Sequence, residues 1–117
     1  LASMPKPLMI YFEFDKANFK TDPQYDSRIA EFKSWLEKYP ASVLSVTGHA
    51  DLVGASEYNQ ALALQRALAV EKYLEKQGIS AGRITTLSKG EEEPAADYLT
   101  SEGRGKNRRT EITIKMQ

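Results

Sequence analysis

The chain has 117 residues, a length that suits one domain with a real core, and its sixteen basic and sixteen acidic residues cancel to a formal net charge of zero. A neutral chain has no long-range field to steer it onto polyanions or anionic lipid, which argues against nucleic acid as a partner. With no cysteine and a single histidine, His49, disulfides, thiolate nucleophiles and thiolate metal sites are excluded, and no cofactor is expected.

Residues 1–7 read as a linker. Leu1-Ala2-Ser3-Met4 lacks the charged and apolar parts of a signal peptide and looks like the edge of an excised domain that occupies 8–117. No apolar run approaches the ~18 residues of a membrane span, so direct insertion by this domain is not expected. Residues 8–15 (LMIYFEFD) alternate, with Ile10, Phe12 and Phe14 on one side and Tyr11, Glu13 and Asp15 on the other, which predicts a half-buried strand. Asp22-Pro23 reads as the cap and first residue of a helix. Its apolar stripe, Tyr25, Ile29, Phe32, Leu36 and Tyr39, keeps the 3.6 period until Pro40 stops it.

A second strand is predicted over Val43 to His49, then a turn at Asp51-Leu52-Val53-Gly54. Ser56 is the expected cap of a long helix that ends at Gly78, where a left-handed residue costs glycine least. Arg83 to Ser88 reads as a third strand, 90–99 as a loop, and Thr100 or Ser101 as the cap of a short helix. Thr110, Ile112, Ile114 and Met116 then line one face of a last strand. The order implies an α/β two-layer sandwich, with two main helices on one face of a mixed four-stranded sheet.

The helix at 56–77 carries an anomaly. On a wheel of ~100° per residue, Leu62, Ala63, Val70, Tyr73 and Leu74 gather around Asn59, while Glu57, Gln60, Glu71, Lys72 and Glu75 take the opposite side. Arg66, two turns after Asn59, sits in the middle of the apolar stripe, where an unpaired guanidinium would cost several kcal/mol. An anion is expected to meet it, and Asp51, at the turn feeding this helix, is the nearest candidate. Two readings stay open. The pair is a structural salt bridge, or it is held a few ångströms apart so that a zwitterionic ligand can place its ammonium on Asp51 and its carboxylate on Arg66.

The stretch TGHADLVGASEYNQALALQRALAVEKYLEKQGISAGRI, followed by GEEEP and TSEGRGKNRRTEI, resembles the OmpA-like C-terminal domain family. The likeness runs from YFEFD to the last strand, through several spaced motifs in fixed order. It implies a βαβαββ-type sandwich that binds cell-wall peptidoglycan non-covalently, through the diaminopimelate of the stem peptide, and so anchors an envelope protein to the wall. The family's site positions fall on Asp51 (GHTD-type motif), Arg66 (R-A motif) and Asn59 (Y-N pair). The loop after the first strand, Phe14, Asp15, Lys16 and Ala17, and an arginine of the N-R-R motif, Arg108 or Arg109, would complete the pocket. The implied location is the periplasmic face of a Gram-negative envelope, tethered to the outer membrane by another part of the protein, with other envelope proteins as further partners. Ala50 replaces the threonine usual in GHTD, Ser88-Lys89 stands where Gly-Tyr is common, and Gly105 replaces an alanine at some cost in local helix.

The remaining features have plainer readings. His49 is expected to be structural, orienting the turn through a backbone hydrogen bond. RGKNRR at 104–109 reads as a solvated helix end with no stacking aromatics interleaved. Glu91-Glu92-Glu93 reads as a solvated loop and Trp35 as packing. An enzyme is not expected: Asp15 and Asp51 could pair as general acid and base, but a neighbouring Arg66 favours ionisation of both, and no Ser-His-Asp, Cys-His or zinc constellation is available. The alternative is an envelope protein–protein interaction module in which the Asp51–Arg66 pair is purely structural.

Overall fold

The alternating run at the start of the chain does form a strand, β1, but it covers only Leu8–Tyr11. The computed structural model describes residues 3–50, 55–90 and 101–116, and the cause of the early stop is visible in it. β1 pairs antiparallel with the last strand, β4 (Arg109–Met116), from Leu8 opposite Ile112 to Tyr11 opposite Arg109. One residue further on, Phe12 still donates its N–H to the Arg108 carbonyl (2.9 Å), but the Arg108 N–H closes the preceding helix onto Arg104 (3.2 Å). The ladder therefore has no backbone donor left for Phe12, whose carbonyl takes the Arg108 Nε instead (3.0 Å). The chain then turns, with Lys16 N–H on the Glu13 carbonyl (3.2 Å) and Asp15 in the left-handed region at φ 58°. The strand expected over 8–15 thus loses its last four residues, and Phe14 is not on the core side but 56% exposed.

Helix α1 (Pro23–Lys38) starts as expected, with Asp22 extended at the cap and its side chain accepting from the Gln24 N–H (2.8 Å). Ile29, Phe32 and Leu36 are its buried stripe, and Tyr39, kept out of the helical region (φ −123°, ψ 85°) ahead of Pro40, ends it. Arg83 collects carbonyls at this end, those of Leu36 (2.9 Å), Tyr39 (3.2 Å) and Ser42 (2.7 Å). Strand β2 (Ser42–His49) follows.

Helix α2 (Ser56–Lys76) is capped by Ala55, not by Ser56, which is its first residue; no side-chain cap bond forms. Its far end closes as a Schellman turn, with Gly78 at φ 96°, Gly78 N–H on Glu75 (3.0 Å) and Ile79 N–H on Leu74 (3.1 Å). After a 3-10 turn at Ala81–Arg83 comes β3 (Ile84–Gly90), starting one residue later than expected and running two further. A short helix, α3 (Ser101–Asn107), precedes β4. The expected turn at 51–54, Glu91-Glu92-Glu93 and the Thr100 cap lie outside the described residues.

The sheet order is β1-β4-β2-β3. β4 is antiparallel to both β1 and β2, whereas β2 and β3 are parallel, with α2 as their crossover. One core joins sheet and helices: Ile10, Leu44, Val46 and Ile112 from the strands meet Ile29, Phe32, Val70 and Leu74 from the helices. Met116, expected on that face, is exposed where β4 runs out. Gly48 sets the distance between α2 and β2, since a Cβ there would lie 1.8 Å from the Ala63 carbonyl oxygen and 3.2 Å from the Ala67 methyl. The helix backbone therefore rests directly on the strand.

Candidate functional site

That close approach carries the first half of α2 to the end of β2, beside the turn that follows β1. Arg66 is the joint. It is fully buried, and its Nε donates to the Lys16 carbonyl (2.8 Å), Nη1 to the His49 carbonyl (3.1 Å) and Nη2 to the Glu13 carbonyl (3.2 Å). The guanidinium also lies over the Phe12 ring, 5.3 Å from its centroid. Three backbone stretches, the turn after β1, the end of β2 and the helix itself, are thus gathered by one side chain. Carbonyl oxygens carry the negative ends of peptide dipoles, so they meet part of the demand that the wheel had assigned to an anion.

The predicted anion, Asp51, lies outside the described residues. Asn59 is buried on the same helix face, with 2% of its surface exposed. Asp15 stands exposed at the tip of the turn and Ala17 is half-buried just behind it. The Tyr58 hydroxyl donates to the Asp15 carboxylate, joining α2 to the turn from outside while Arg66 joins them from within. Asp15 holds the Tyr58 phenol above its ordinary value of 10.0, first by accepting its proton in that hydrogen bond and then through desolvation and charge, with Arg66 opposing. Phe14, beside Asp15, presents its ring to solvent.

The two arginines of the N-R-R motif part company. Arg108, half-buried, holds the Phe12 carbonyl and lines an open groove of ≈ 760 Å³ with Lys16, Tyr11 and Tyr25. Arg109 is buried and donates from Nη2 to Glu111 (2.9 Å); the same carboxylate oxygen lies 2.8 Å from His49 Nε2. His49 therefore serves twice: its carbonyl receives Arg66, and its buried ring reaches across to β4, a contact that the expectation of a backbone role alone had missed. Ser88, one of the departures, exchanges hydrogen bonds with Gln60: its Oγ donates to the Gln60 carbonyl (2.8 Å) and its own carbonyl accepts from Gln60 Nε2 (3.0 Å). It pins β3 to the same end of α2.

The structure thus brings together Arg66, Asn59, Asp15, Phe14 and Ala17 at one end of the sheet, with Arg108 alongside and Arg109 turned to Glu111. Tyr58 was missed as a participant although it adjoins Asn59. The carbonyls of Glu13 and Lys16 had no signal to find, because every residue carries one. Among the described residues no group of three or more His, Asp or Glu could hold a metal ion, and no helix is long and apolar enough to cross a membrane.

A two-layer α/β domain with β4 inserted between β1 and β2, and a charged cluster where α2 meets the sheet end, defines the class of protein. The chain belongs to the OmpA family, whose model matches residues 11–108. Outer membrane porin F of Pseudomonas fluorescens is 37% identical over 110 residues, covering 94% of this chain and 33% of the porin. The peptidoglycan-associated lipoprotein of Agrobacterium fabrum is 39% identical over 87 residues, covering 74% of this chain and 48% of the lipoprotein. The chain therefore spans about a third of the one and half of the other. Among solved structures, the peptidoglycan-associated lipoprotein from Burkholderia pseudomallei superimposes with a TM-score of 0.81 at 29% identity, covering 92% of this chain and 89% of that one.

Proposed function

We propose that this domain binds cell-wall peptidoglycan non-covalently, through the diaminopimelate of the stem peptide, and so ties an envelope protein to the wall without altering it. The observation that carries the reading is the assembly at the head of α2: a buried cation that holds the turn after β1, an exposed carboxylate on that turn bonded to a tyrosine of the helix, and a buried asparagine beside that tyrosine, in a family with a peptidoglycan-associated member. Diaminopimelate ends in an ammonium and a carboxylate on one carbon. In this reading Asp51 and Asp15 attract the ammonium, and the charge of Arg66 favours the carboxylate. Because Arg66 is fully buried, direct contact with the ligand needs its cover to part. Arg108 or Arg109 and the face of Phe14 would complete the contact. The location that follows is the periplasmic face of a Gram-negative envelope, with the membrane tether elsewhere in the protein.

No cysteine is present, and Asp15 stands on an exposed turn, whereas a glycosidase keeps its acid in an apolar pocket. A second reading makes the domain an envelope protein–protein module in which Arg66 is architectural, and the complete burial of that side chain favours it. Titration with matched stem peptides separates the two. Diaminopimelate stems should bind about ten- to hundred-fold tighter than lysine or amidated stems, which leave a charge without its counterpart at a cost of ~1–3 kcal/mol. Equal affinity for all three would favour the second reading. Sacculi incubated with the domain should pellet it and release no muropeptides above a blank.

A further inference from the structure

We propose that Tyr58 is a positioning residue of this binding site, its hydroxyl holding the Asp15 carboxylate in place to receive the ammonium group of the ligand. The inference rests on the peptidoglycan reading and gives a role in it to the tyrosine of the Y-N pair, to which the motif reading assigned none. Tyr58 is 52% exposed, on the first turn of α2, and donates to Asp15 across forty-three positions of sequence. A hydrogen bond between exposed groups competes with water and adds little to stability, so its consequence lies in geometry. Asp15 sits at a turn tip in a left-handed conformation (φ 58°), and its backbone is already fixed, because the carbonyls on either side, Glu13 and Lys16, are both bonded to Arg66.

What the buried arginine cannot fix is the direction of the Asp15 side chain. Tyr58 does that from outside. A carboxylate has about four lone-pair sites and the phenol occupies one, leaving the others for a cation. Freezing such a side chain only on binding would cost ~0.5–1.5 kcal/mol, which a prior hydrogen bond removes. A phenol is protonated at neutral pH and so is available as the donor, and the hydrogen bond to Asp15 favours that protonated form further.

The test is calorimetric titration of the wild-type protein, Tyr58→Phe, Asp15→Ala and the double variant with a diaminopimelate stem peptide, repeated with a peptide whose side-chain amine is acetylated. Tyr58→Phe should bind about three- to ten-fold more weakly with an unchanged urea midpoint. The double variant should bind no worse than Asp15→Ala, and the acetylated peptide should not distinguish Tyr58→Phe from wild type. A role in folding alone would move both peptides equally. If wild type binds and Tyr58→Phe binds as well, or if the two losses simply add, the positioning role is wrong while the peptidoglycan reading stands. If wild type binds neither peptide, the reading fails and takes this inference with it.

Discussion

Replacing Arg66 tests whether one buried side chain holds this end of the sheet together. In Arg66→Ala the His49 carbonyl loses its donor deep inside the molecule, and a bond from a charged group to such an acceptor contributes ~1.5–3 kcal/mol. The Glu13 and Lys16 carbonyls lie nearer the surface, where water can take over, so each loss is nearer ~0.5–1 kcal/mol. Losing the contact with the Phe12 ring adds ~0.5–1 kcal/mol. The total, ~4 kcal/mol, is a large part of the ~5–15 kcal/mol that holds a domain of this kind folded. With a urea slope of ~1–3 kcal/mol per molar, the unfolding midpoint followed by Trp35 fluorescence should fall by ~2 M. Arg66→Lys keeps the charge but offers a point donor in place of a fork, so about half of that loss should remain. A midpoint for Arg66→Ala within ~0.3 M of wild type would refute the reasoning, since the three carbonyls would then be satisfied without the arginine.

Two further predictions concern the same end of the molecule. Gly48→Ala places a methyl 1.8 Å from the Ala63 carbonyl oxygen, backbone against backbone, so α2 must lift; overpacking should cost ~3 kcal/mol or more, read as a lower thermal midpoint, and an unchanged midpoint would contradict the close packing. The Tyr58 phenol should titrate above its ordinary 10.0 because Asp15 accepts its proton. The stability from this raised group is fully present below the ordinary value and is lost as pH rises through the folded one. The wild-type minus Tyr58→Phe ultraviolet titration should show the shift and Asp15→Ala should abolish it; a difference curve centred at the ordinary value would show that the hydrogen bond is not formed.

What could be read from the residues was whatever a local or periodic signal carries. Asp22-Pro23 announces the start of α1 because cap and proline act within one turn, and Gly78 announces the end of α2 because a positive φ suits glycine. Arg66 stood out because a 3.6-residue period puts it among apolar neighbours. The length of β1 was not legible, since it depends on the Arg108 N–H being claimed by α3, almost a hundred positions away. Phe14 followed the alternation on paper and left it in space for the same reason. Ser56 satisfied the cap preference, yet Ala55 holds the position. The main-chain partners of Arg66 were beyond sequence reasoning in a stricter sense: a side chain that binds main-chain oxygens leaves, for those bonds, no complementary residue type to search for.

The choice of arginine for that joint has a consequence for how the molecule meets acid. A guanidinium keeps its proton throughout the physiological range, and peptide carbonyls do not titrate, so the three bonds that join turn, strand and helix are the same in mild acid as in mild alkali. A joint made from an aspartate and a lysine would come apart as the carboxylate took up a proton. These three bonds therefore hold whichever protons the neighbouring side chains carry, and a change of pH within that range asks no refolding step of them.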